Sequence, residues 1–206
     1  MTSIDHITLE VADPTAAKVF YTDVLGLGAW VRVRAGEEPT SGFRGFTLSL
    51  IVSQPADVRA LVDAAVAAGA TTLKPAEKSL FGYGGSVRAP DGTIVTVASQ
   101  SKKDTGPATR QIDDVVIQLG VADVAAAKRF YVASGFTVGR SFGSKYVEFA
   151  AAAGTVKLSL LKRKALAKAA GVGEDGTGSH RVVFGGAAAP MTDPDGFVWE
   201  PAVTAR

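Results

Sequence analysis

The chain has 206 residues, which is enough for one substantial domain or two small ones. A hydrophobic fraction of 47% and a charged fraction of 20% are globular values, and a formal net charge of +2 gives no electrostatic footprint for nucleic acid. The sequence contains no apolar run of about 18 residues, so no membrane span is predicted. The absence of cysteine excludes disulfides and thiolate chemistry, and without a secretory signal at the N-terminus we expect a cytoplasmic protein.

In the first half, strand patterns alternate with helix patterns. Residues 4–11 alternate between apolar and polar side chains, which predicts a half-buried strand. Asp13 can cap the helix that follows, Pro14 suits its first turn, and Gly26 ends it. The remaining predicted elements are strands at 29–34 and 46–52, a helix from Pro55 to Gly69, a short edge strand at 71–74 that ends at Pro75, a flexible stretch at 81–85 and a strand after the turn at 89–92.

The second half repeats this plan. Val115, Ile117 and Leu119 share one face of a predicted strand, and Asp123 can cap the helix that ends near Gly135. The elements predicted after it are strands at 136–140, 146–150 and 156–161, a short helix at 162–170, a glycine-rich and non-rigid loop at 171–178 and a strand at 181–184.

Two sequence stretches recur in the same order about 100 residues apart, which indicates an internal duplication. Residues 11–21 match 121–131, and residues 89–96 match 193–200 without a gap. A polar stretch that contains Gly and Pro lies between the two copies. We therefore predict one unit at 1–100, a linker at 101–110 and a second unit at 111–206.

The best-defined motif is the turn at 193–196 and the strand after it. Asp-Pro-Asp-Gly is tight-turn chemistry, because Pro presets φ and Gly can adopt a positive φ. Phe197 and Trp199 then point to one face of the strand, and Val198 and Glu200 point to the other. The aromatic face must be covered, whereas the buried charge of Glu200 would need water, a partner or a metal. We expect a curved sheet that helices cover on its convex side and that is open on its concave side.

The order of these elements resembles the vicinal oxygen chelate superfamily, which includes glyoxalase I, extradiol dioxygenases, fosfomycin-resistance enzymes and bleomycin-resistance proteins. The repeated helix at 121–131 and the strand that ends at Glu200 carry most of the resemblance. It implies an α+β fold in which duplicated βαβββ units form a cup of curved mixed sheets, with the helices on the convex face. It also implies that the cup holds a divalent metal or an apolar ligand.

The resemblance suggests where a metal would be bound. In metal-using members of the superfamily, the ligands come from the first and last strands of paired units and are usually His and Glu. By that resemblance His6 and Glu200 are candidate metal ligands, whereas Thr96 and Val116 stand at the other two places. Asp114, two residues before Val116 on the same strand face, is a third candidate. Because His6 and Glu200 lie in different halves, only a cup shared between the halves brings them together.

Three further residues are candidates for ligand binding. Trp30 and Arg32 lie near the expected rim of the cup. There Trp30 would stack on a ring of the ligand, and Arg32 would pair with an anion. The alternative is an ordinary edge strand with an exposed arginine. Tyr83 lies in a glycine-rich stretch, where it is either a lid residue or part of a surface turn.

These patterns leave three functional hypotheses open. A glyoxalase/bleomycin-resistance-like protein would bind a small organic molecule in an apolar cup, without a cofactor or a complete metal site. A divalent-metal-dependent lyase, isomerase or dioxygenase would instead use His6 and Glu200. In the third hypothesis the cup is filled, and the role is structural or regulatory. The expected partner is a small molecule, not nucleic acid or a membrane, and a homodimer in which units pair between two chains remains open.

Overall fold

The computed structural model describes residues 2–187 and 189–201. The helices are α1 (Pro14–Lys18), which continues as a π-helical segment at Val19–Val24, α2 (Pro55–Ala67), α3 (Val124–Ala133) and α4 (Arg163–Ala170). The strands are β1 (His6–Val11), β2 (Val31–Ala35), β3 (Thr40–Gly42), β4 (Phe46–Ile51), β5 (Thr71–Ser79), β6 (Gly82–Arg88), β7 (Ile94–Ser99), β8 (Asp114–Val121), β9 (Val138–Phe142), β10 (Tyr146–Phe149), β11 (Lys157–Lys162), β12 (Gly176–Gly178), β13 (Val182–Ala187), β14 (Met191–Thr192) and β15 (Val198–Pro201).

Eight strands form a large sheet in the order β5-β6-β7-β4-β8-β11-β10-β9. It consists of two βαβββ units, β4-α2-β5-β6-β7 and β8-α3-β9-β10-β11, and in each unit the last strand lies parallel to the first. The two units meet where β4 pairs with β8 in antiparallel register. The fold class predicted from the sequence, α+β with duplicated βαβββ units and curved mixed sheets, is confirmed.

Five strands form a small sheet in the order β14-β15-β13-β1-β2. Its centre repeats the plan of the large sheet, because β1 and β13 pair in antiparallel register and each has a parallel neighbour, β2 or β15. The β1 side of this centre has two strands and the β13 side has three, whereas a βαβββ unit has four. Both sheets take strands from both halves of the chain, and β3 and β12 add a separate two-stranded ribbon.

The helices are positioned by capping and by their apolar faces. Asp13 Oδ1 accepts the backbone N–H of Ala16 at 3.0 Å, and Asp123 Oδ1 accepts that of Ala125 at 2.8 Å, so both predicted caps are confirmed. Helix α2 packs on β6 and β7, α3 packs on β10 and β11, and α1 packs on β1 and β2. None of the helices in the described ranges is both long and apolar enough to cross a membrane.

Helix α4 packs on the opposite face of the large sheet, inside its concave side. Leu166 and Ala170 of α4 form a small apolar cluster with Ile94 of β7. Gly120 of β8 allows this approach, since a Cβ there would lie 3.0 Å from the Cα atom of Arg163. The helix therefore fills one end of the concave face and leaves the other end open.

The strand that carries the best-defined motif is packed as predicted. Phe197 and Trp199 are both completely buried, whereas Val198 is exposed and Glu200 is half-buried. Trp199 packs edge-on against Tyr131 of α3, with ring centroids 5.7 Å apart. The aromatic face of β15 thus reaches the helix that covers the other sheet.

Two tyrosine–aspartate hydrogen bonds tie the sheets to each other. Tyr21, which follows α1 over the small sheet, donates to Asp91 Oδ1 at 2.6 Å in the turn before β7. Tyr131, in the helix over the large sheet, donates to Asp193 Oδ2 at 2.6 Å in the turn before β15. In the ungapped repeat Asp91 aligns with Asp195, so the two ties use different acids of the same turn motif. Burial and the neighbouring aspartate raise the pKa of each tyrosine well above its ordinary value.

Three stretches differ from the prediction. The strand at 71–74 does not end at Pro75 but runs on to Ser79, which is possible because β5 is an edge strand and its register shifts around the proline. The stretch at 81–85 is mostly the ordered start of β6, because β7 and β5 pair with it on both sides. The loop at 171–178 ends in β12, which pairs with β3.

The predicted linker is held on the N-terminal end of α2. Gln54 Oε1 accepts the backbone N–H of Thr105 at 2.7 Å, and Asp57 Oδ1 accepts those of Thr109 at 2.6 Å and Arg110 at 2.8 Å. Asp57 is fully buried. Its burial raises the pKa, but the N–H donors of Arg110 and Thr109 outweigh burial and lower the pKa below its ordinary value.

Candidate functional site

The open end of the large sheet's concave face contains a cavity of about 280 Å³, which we call the cup. Most of the side chains that line it are polar: Ser49, Ser99, Gln100, Asp114, Gln118, Arg140, Glu148 and Lys157. Ile51, Ala98 and Val116 add a smaller apolar part. The expectation of an apolar cup is therefore wrong for this cavity, because the concave face carries the polar phase of its strands.

A polar row crosses five neighbouring strands at the floor of the cup. Strand register aligns Thr47 of β4 with Gln118 of β8, Ser159 of β11, Glu148 of β10 and Arg140 of β9. Thr47 Oγ1 donates to Gln118 Oε1 at 3.0 Å. The side chains of such a row lie on one face of the sheet, close enough for neighbours to interact.

The hydroxyl group of Ser159 in the middle of this row makes no hydrogen bond of good geometry with the described residues, although its closeness to the Tyr146 hydroxyl lowers the pKa of that tyrosine. Ser159 is fully buried. A buried hydroxyl without a partner costs roughly 1–3 kcal/mol, so such groups are rare unless a ligand or water satisfies them.

The charges around the cup are only partly paired. Lys157 Nζ lies 2.7 Å from Asp114 Oδ2, in an ion pair that is about one-third exposed. Tyr146 donates its hydroxyl hydrogen to Glu148 Oε2 at 2.8 Å, and burial together with Glu148 raises the tyrosine pKa. Tyr146 therefore stays a neutral hydrogen-bond donor at the edge of the cavity.

His6 and Glu200 lie in the small sheet, on either side of Gly185. Strand register aligns His6 of β1 with Gly185 of β13, and Gly185 with Glu200 of β15. The imidazole of His6 lies over the glycine, since a Cβ at Gly185 would be 2.1 Å from His6 Cε1. A sheet shared between the two halves thus places the predicted pair on one face, on two strands that are separated by β13.

Two arginines from β2 engage this pair. Arg32 Nη1 lies 3.2 Å from His6 Nε2, and because arginine only donates, the histidine nitrogen accepts. Burial and the charge of Arg32 lower the pKa of His6. Arg34 lies 2.8 Å from Glu200 Oε1 and 2.7 Å from Glu10 Oε1, so it joins the two carboxylates.

Comparison with solved structures identifies the architecture. No protein-family model matches the chain, and a search of the curated proteins finds no match. Glyoxalase I from Zea mays superposes with a TM-score of 0.62 at 14% identity, over 97% of this chain and 91% of that one. A putative dioxygenase from Bacillus subtilis subsp. subtilis str. 168 superposes with a TM-score of 0.58 at 12% identity, over 98% of this chain and 84% of that one. The chain has the vicinal oxygen chelate fold.

The vicinal oxygen chelate resemblance stated from the motifs is confirmed at the level of the fold. At identities this low, the likeness describes the arrangement of strands and helices and leaves the activity open. The function must therefore be argued from the side chains of the two sheets.

The residues proposed as metal ligands in this vicinal oxygen chelate fold do not form a metal site. Asp114 lies in the large sheet and pairs with Lys157, whereas His6 and Glu200 lie in the small sheet. His6 Nε2 already accepts from an arginine, and Glu200 is held by another. Across 2–187 and 189–201, no three or more His, Asp or Glu side chains are grouped to hold a metal ion. This donor set does not fit a site that needs about three protein ligands.

The residues proposed for ligand binding do not line the cup. Trp30 Nε1 donates to the carbonyl oxygen of Gly154 at 2.8 Å, and Arg32 lies on the open face of the small sheet. Tyr83 belongs to β6, where its hydroxyl donates to the carbonyl oxygen of Ala76 at 2.8 Å and its ring centroid lies 5.7 Å from the guanidinium of Arg59. The structure therefore does not bring these three candidates together, and their role in binding stays a prediction.

The polar row at the floor of the cup was not predicted from the sequence. A usable signal was present in the alternate phase of the strands. Val115, Ile117 and Leu119 mark the covered face of β8, so Asp114 and Gln118 must point to the other face. The same reasoning applied to β10 and β11 selects Glu148 and Ser159, but only strand order shows that these residues are neighbours.

Proposed function

We propose that the protein binds a small polar organic molecule in the cup, without using a metal ion. The observation that carries this proposal is the polar row beside the cavity, in which the buried hydroxyl of Ser159 makes no hydrogen bond of good geometry with the described residues. A ligand with hydrogen-bonding groups would satisfy the row directly or through bound water.

The size of the cavity limits the ligand. A volume of about 280 Å³ lies near the lower end of the range of roughly 300–1,000 Å³ that is usual for small-molecule sites. Helix α4 sets this limit, because it occupies the other end of the concave face. The ligand is therefore a small metabolite-sized molecule, and the filled-cup hypothesis applies only to the end that α4 covers.

The first and last strands of the two units support binding without a metal. Towards the cup they present Ser49 on β4, Thr96 on β7 and Ser159 on β11. Strand β8 presents Asp114, whose carboxylate is already paired with Lys157. Neutral hydroxyl groups bind divalent transition metals weakly, but they are suited to donate and accept hydrogen bonds with an organic ligand.

A ligand screen with a blocked cup tests this proposal. Wild-type protein is screened with polar metabolites by its melting temperature, once with EDTA and once with added Mn²⁺ or Zn²⁺. In Ala98→Phe, a ring replaces a small half-buried side chain that lines the cavity. We expect a ligand that raises the melting temperature of the wild type equally in EDTA and metal, and that has no effect on Ala98→Phe.

The matched control is Thr192→Phe, which adds the same ring at an exposed position of the small sheet. This variant should keep the full ligand-induced shift. Binding that survives in Ala98→Phe, or that appears only when a metal is added, would contradict the proposal.

A further inference from the structure

The tip of the β5–β6 hairpin places an exposed aromatic ring at the cup. Ser79 and Gly82 pair across a two-residue loop that contains Leu80 and Phe81. Phe81 lines the cavity although its surface is 86% exposed. A ligand that covers this exposed phenyl ring would gain binding free energy from burying its surface. The gain is larger for a flat aromatic ligand, because it can stack on the ring.

The opposite edge of the large sheet also presents aromatic surface. Tyr146 of β10 lines the cavity, and its ring centroid lies 6.1 Å from that of Phe142 at the end of β9. Phe142 is 61% exposed. Aromatic side chains from both edges of the curved sheet thus border a cavity whose floor is polar.

The cup also contains a cation that makes no ion pair with the described residues, although strand register places Glu148 opposite it. Lys157 is paired with Asp114, and Glu148 accepts the hydroxyl hydrogen of Tyr146. Arg140 lines the same cavity, is exposed, and makes no ion pair with any side chain in the described part of the chain. A guanidinium group binds a carboxylate through two parallel N–H donors, which makes a ligand carboxylate its natural partner.

We propose that the ligand of the cup is an aromatic carboxylate. Its ring packs against Phe81 and its carboxylate pairs with Arg140. The assignment rests on the proposed function, since it names the chemical class of molecule that the same cavity binds. The polar row then receives a hydrogen-bonding substituent of the ring or a bridging water.

Three matched probes test the assignment: benzoate, cyclohexanecarboxylate and benzamide. The second probe lacks the aromatic ring and the third lacks the charge. Binding to the full-length chain is measured by protein-observed NMR, with the amides of Gln118 and Glu148 as reporters of the cup. We expect benzoate to bind about fivefold or more tightly than cyclohexanecarboxylate, because only a planar ring stacks on Phe81. It should bind at least about tenfold more tightly than benzamide, because a charged partner strengthens the contact with Arg140.

Variants locate the two contacts. Phe81→Leu should weaken benzoate about fivefold and leave cyclohexanecarboxylate unchanged. Arg140→Gln should weaken both carboxylates about tenfold and leave benzamide unchanged. The controls are Leu80→Ala, beside Phe81 in the loop, and Arg129→Gln, which removes an exposed arginine from α3. Neither control should change the affinity for any probe.

The outcomes separate this inference from the proposed function. Equal binding of cyclohexanecarboxylate or benzamide at the cup overturns the aromatic-carboxylate assignment and leaves binding in the cup intact. A non-aromatic or uncharged ligand from the screen, sensitive to Ala98→Phe, does the same. If no screened molecule or probe shifts the cup amides, both proposals fail.

Discussion

The large and the small sheet are built around the same centre, yet their open faces are satisfied in different ways. In the small sheet the side chains satisfy one another, since Arg34 joins Glu10 to Glu200 and His6 lies over Gly185. In the large sheet, α4 fills one end and a polar cavity occupies the other. The small sheet thus carries ion pairs on its open face, beside a cavity of about 400 Å³ that Glu10 and Arg34 line, whereas the large sheet retains a buried hydroxyl group without a hydrogen bond of good geometry among the described residues.

The motifs alone suggest that the candidate metal ligands and the ligand cavity form one site, but the two lie in different sheets. The His and Glu at the metal-ligand places lie in the small sheet, whereas the cavity suited to a ligand lies in the large one. Burial and the charge of Arg32 lower the pKa of His6, and hydrogen bonds to Glu200 and Glu10 raise the pKa of Arg34. His6 and Glu200 are thus engaged by arginines of their own sheet, and the proposed binding site lies in the large sheet.

The largest effect is expected where the two sheets are tied together. Asp193 accepts hydrogen bonds from the Tyr131 hydroxyl at 2.6 Å and from the backbone N–H groups of Asp195 at 2.9 Å and Phe197 at 2.8 Å. Asp193→Ala leaves these buried donors without an acceptor, and we expect it to lower the free energy of unfolding by about 3 kcal/mol. Urea denaturation measures the change.

The matched control for this tie is Asp195→Ala. Asp195 stands where the repeat alignment would place the partner of Tyr131, but its carboxylate accepts only the exposed N–H of Ala122, at 2.7 Å. This variant should lower the free energy of unfolding by less than about 1 kcal/mol. If the two variants were destabilised in the opposite order, the tie between the sheets would not run through Asp193.

A smaller effect tests whether the small sheet is closed by its own side chains. Gly185→Ala places a Cβ where the His6 ring lies, 2.1 Å from Cε1, so the ring must leave the position in which it accepts from Arg32. We expect a loss of about 2 kcal/mol in the free energy of unfolding. The double variant His6→Ala/Gly185→Ala should recover part of the loss relative to the sum of its single variants.

Gly173→Ala is the control for the backbone effect of the substitution, because a Cβ at Gly173 meets nothing within 4 Å. It should be nearly neutral. A Gly185→Ala variant as stable as this control would show that the face of the small sheet has room to spare. It could then accommodate a ligand, as the large sheet is proposed to do.

The elements of the fold could be predicted from the sequence because their signals are local. The caps at Asp13 and Asp123 and the burial of Phe197 and Trp199 follow from hydrogen-bonding capacity and period-2 alternation, and all four are confirmed. The stretch at 71–74 was correctly predicted as an edge strand, but its end was misplaced, because a proline is compatible with an edge strand and does not have to end it.

The candidate site could not be predicted, because it depends on which strands are neighbours. The polar row joins β4 of the first half to β8, β11, β10 and β9 of the second, and no spacing in the sequence encodes that order. The position of α4 at the other end of the concave face is equally non-local, since it requires the close approach of Arg163 to Gly120. The superfamily resemblance points to His6 and Glu200, but only the side-chain contacts of the folded chain show that Arg32 and Arg34 of β2 are their partners.

The smallest expected effect is a pH dependence of the small sheet. The groups around His6 are Arg32, which with burial lowers its pKa, and Asp5 and Glu200, which oppose the shift. Because the folded state binds this proton more weakly than the unfolded chain, its stabilising contribution is present above the ordinary histidine pKa and is lost as the pH falls through and below it. The free energy of unfolding should therefore decline from about pH 7 to about pH 5, with a slope below the limit of about 1.4 kcal/mol per pH unit for one proton. His6→Gln should reduce this slope, and a slope that is unchanged in His6→Gln would contradict the prediction.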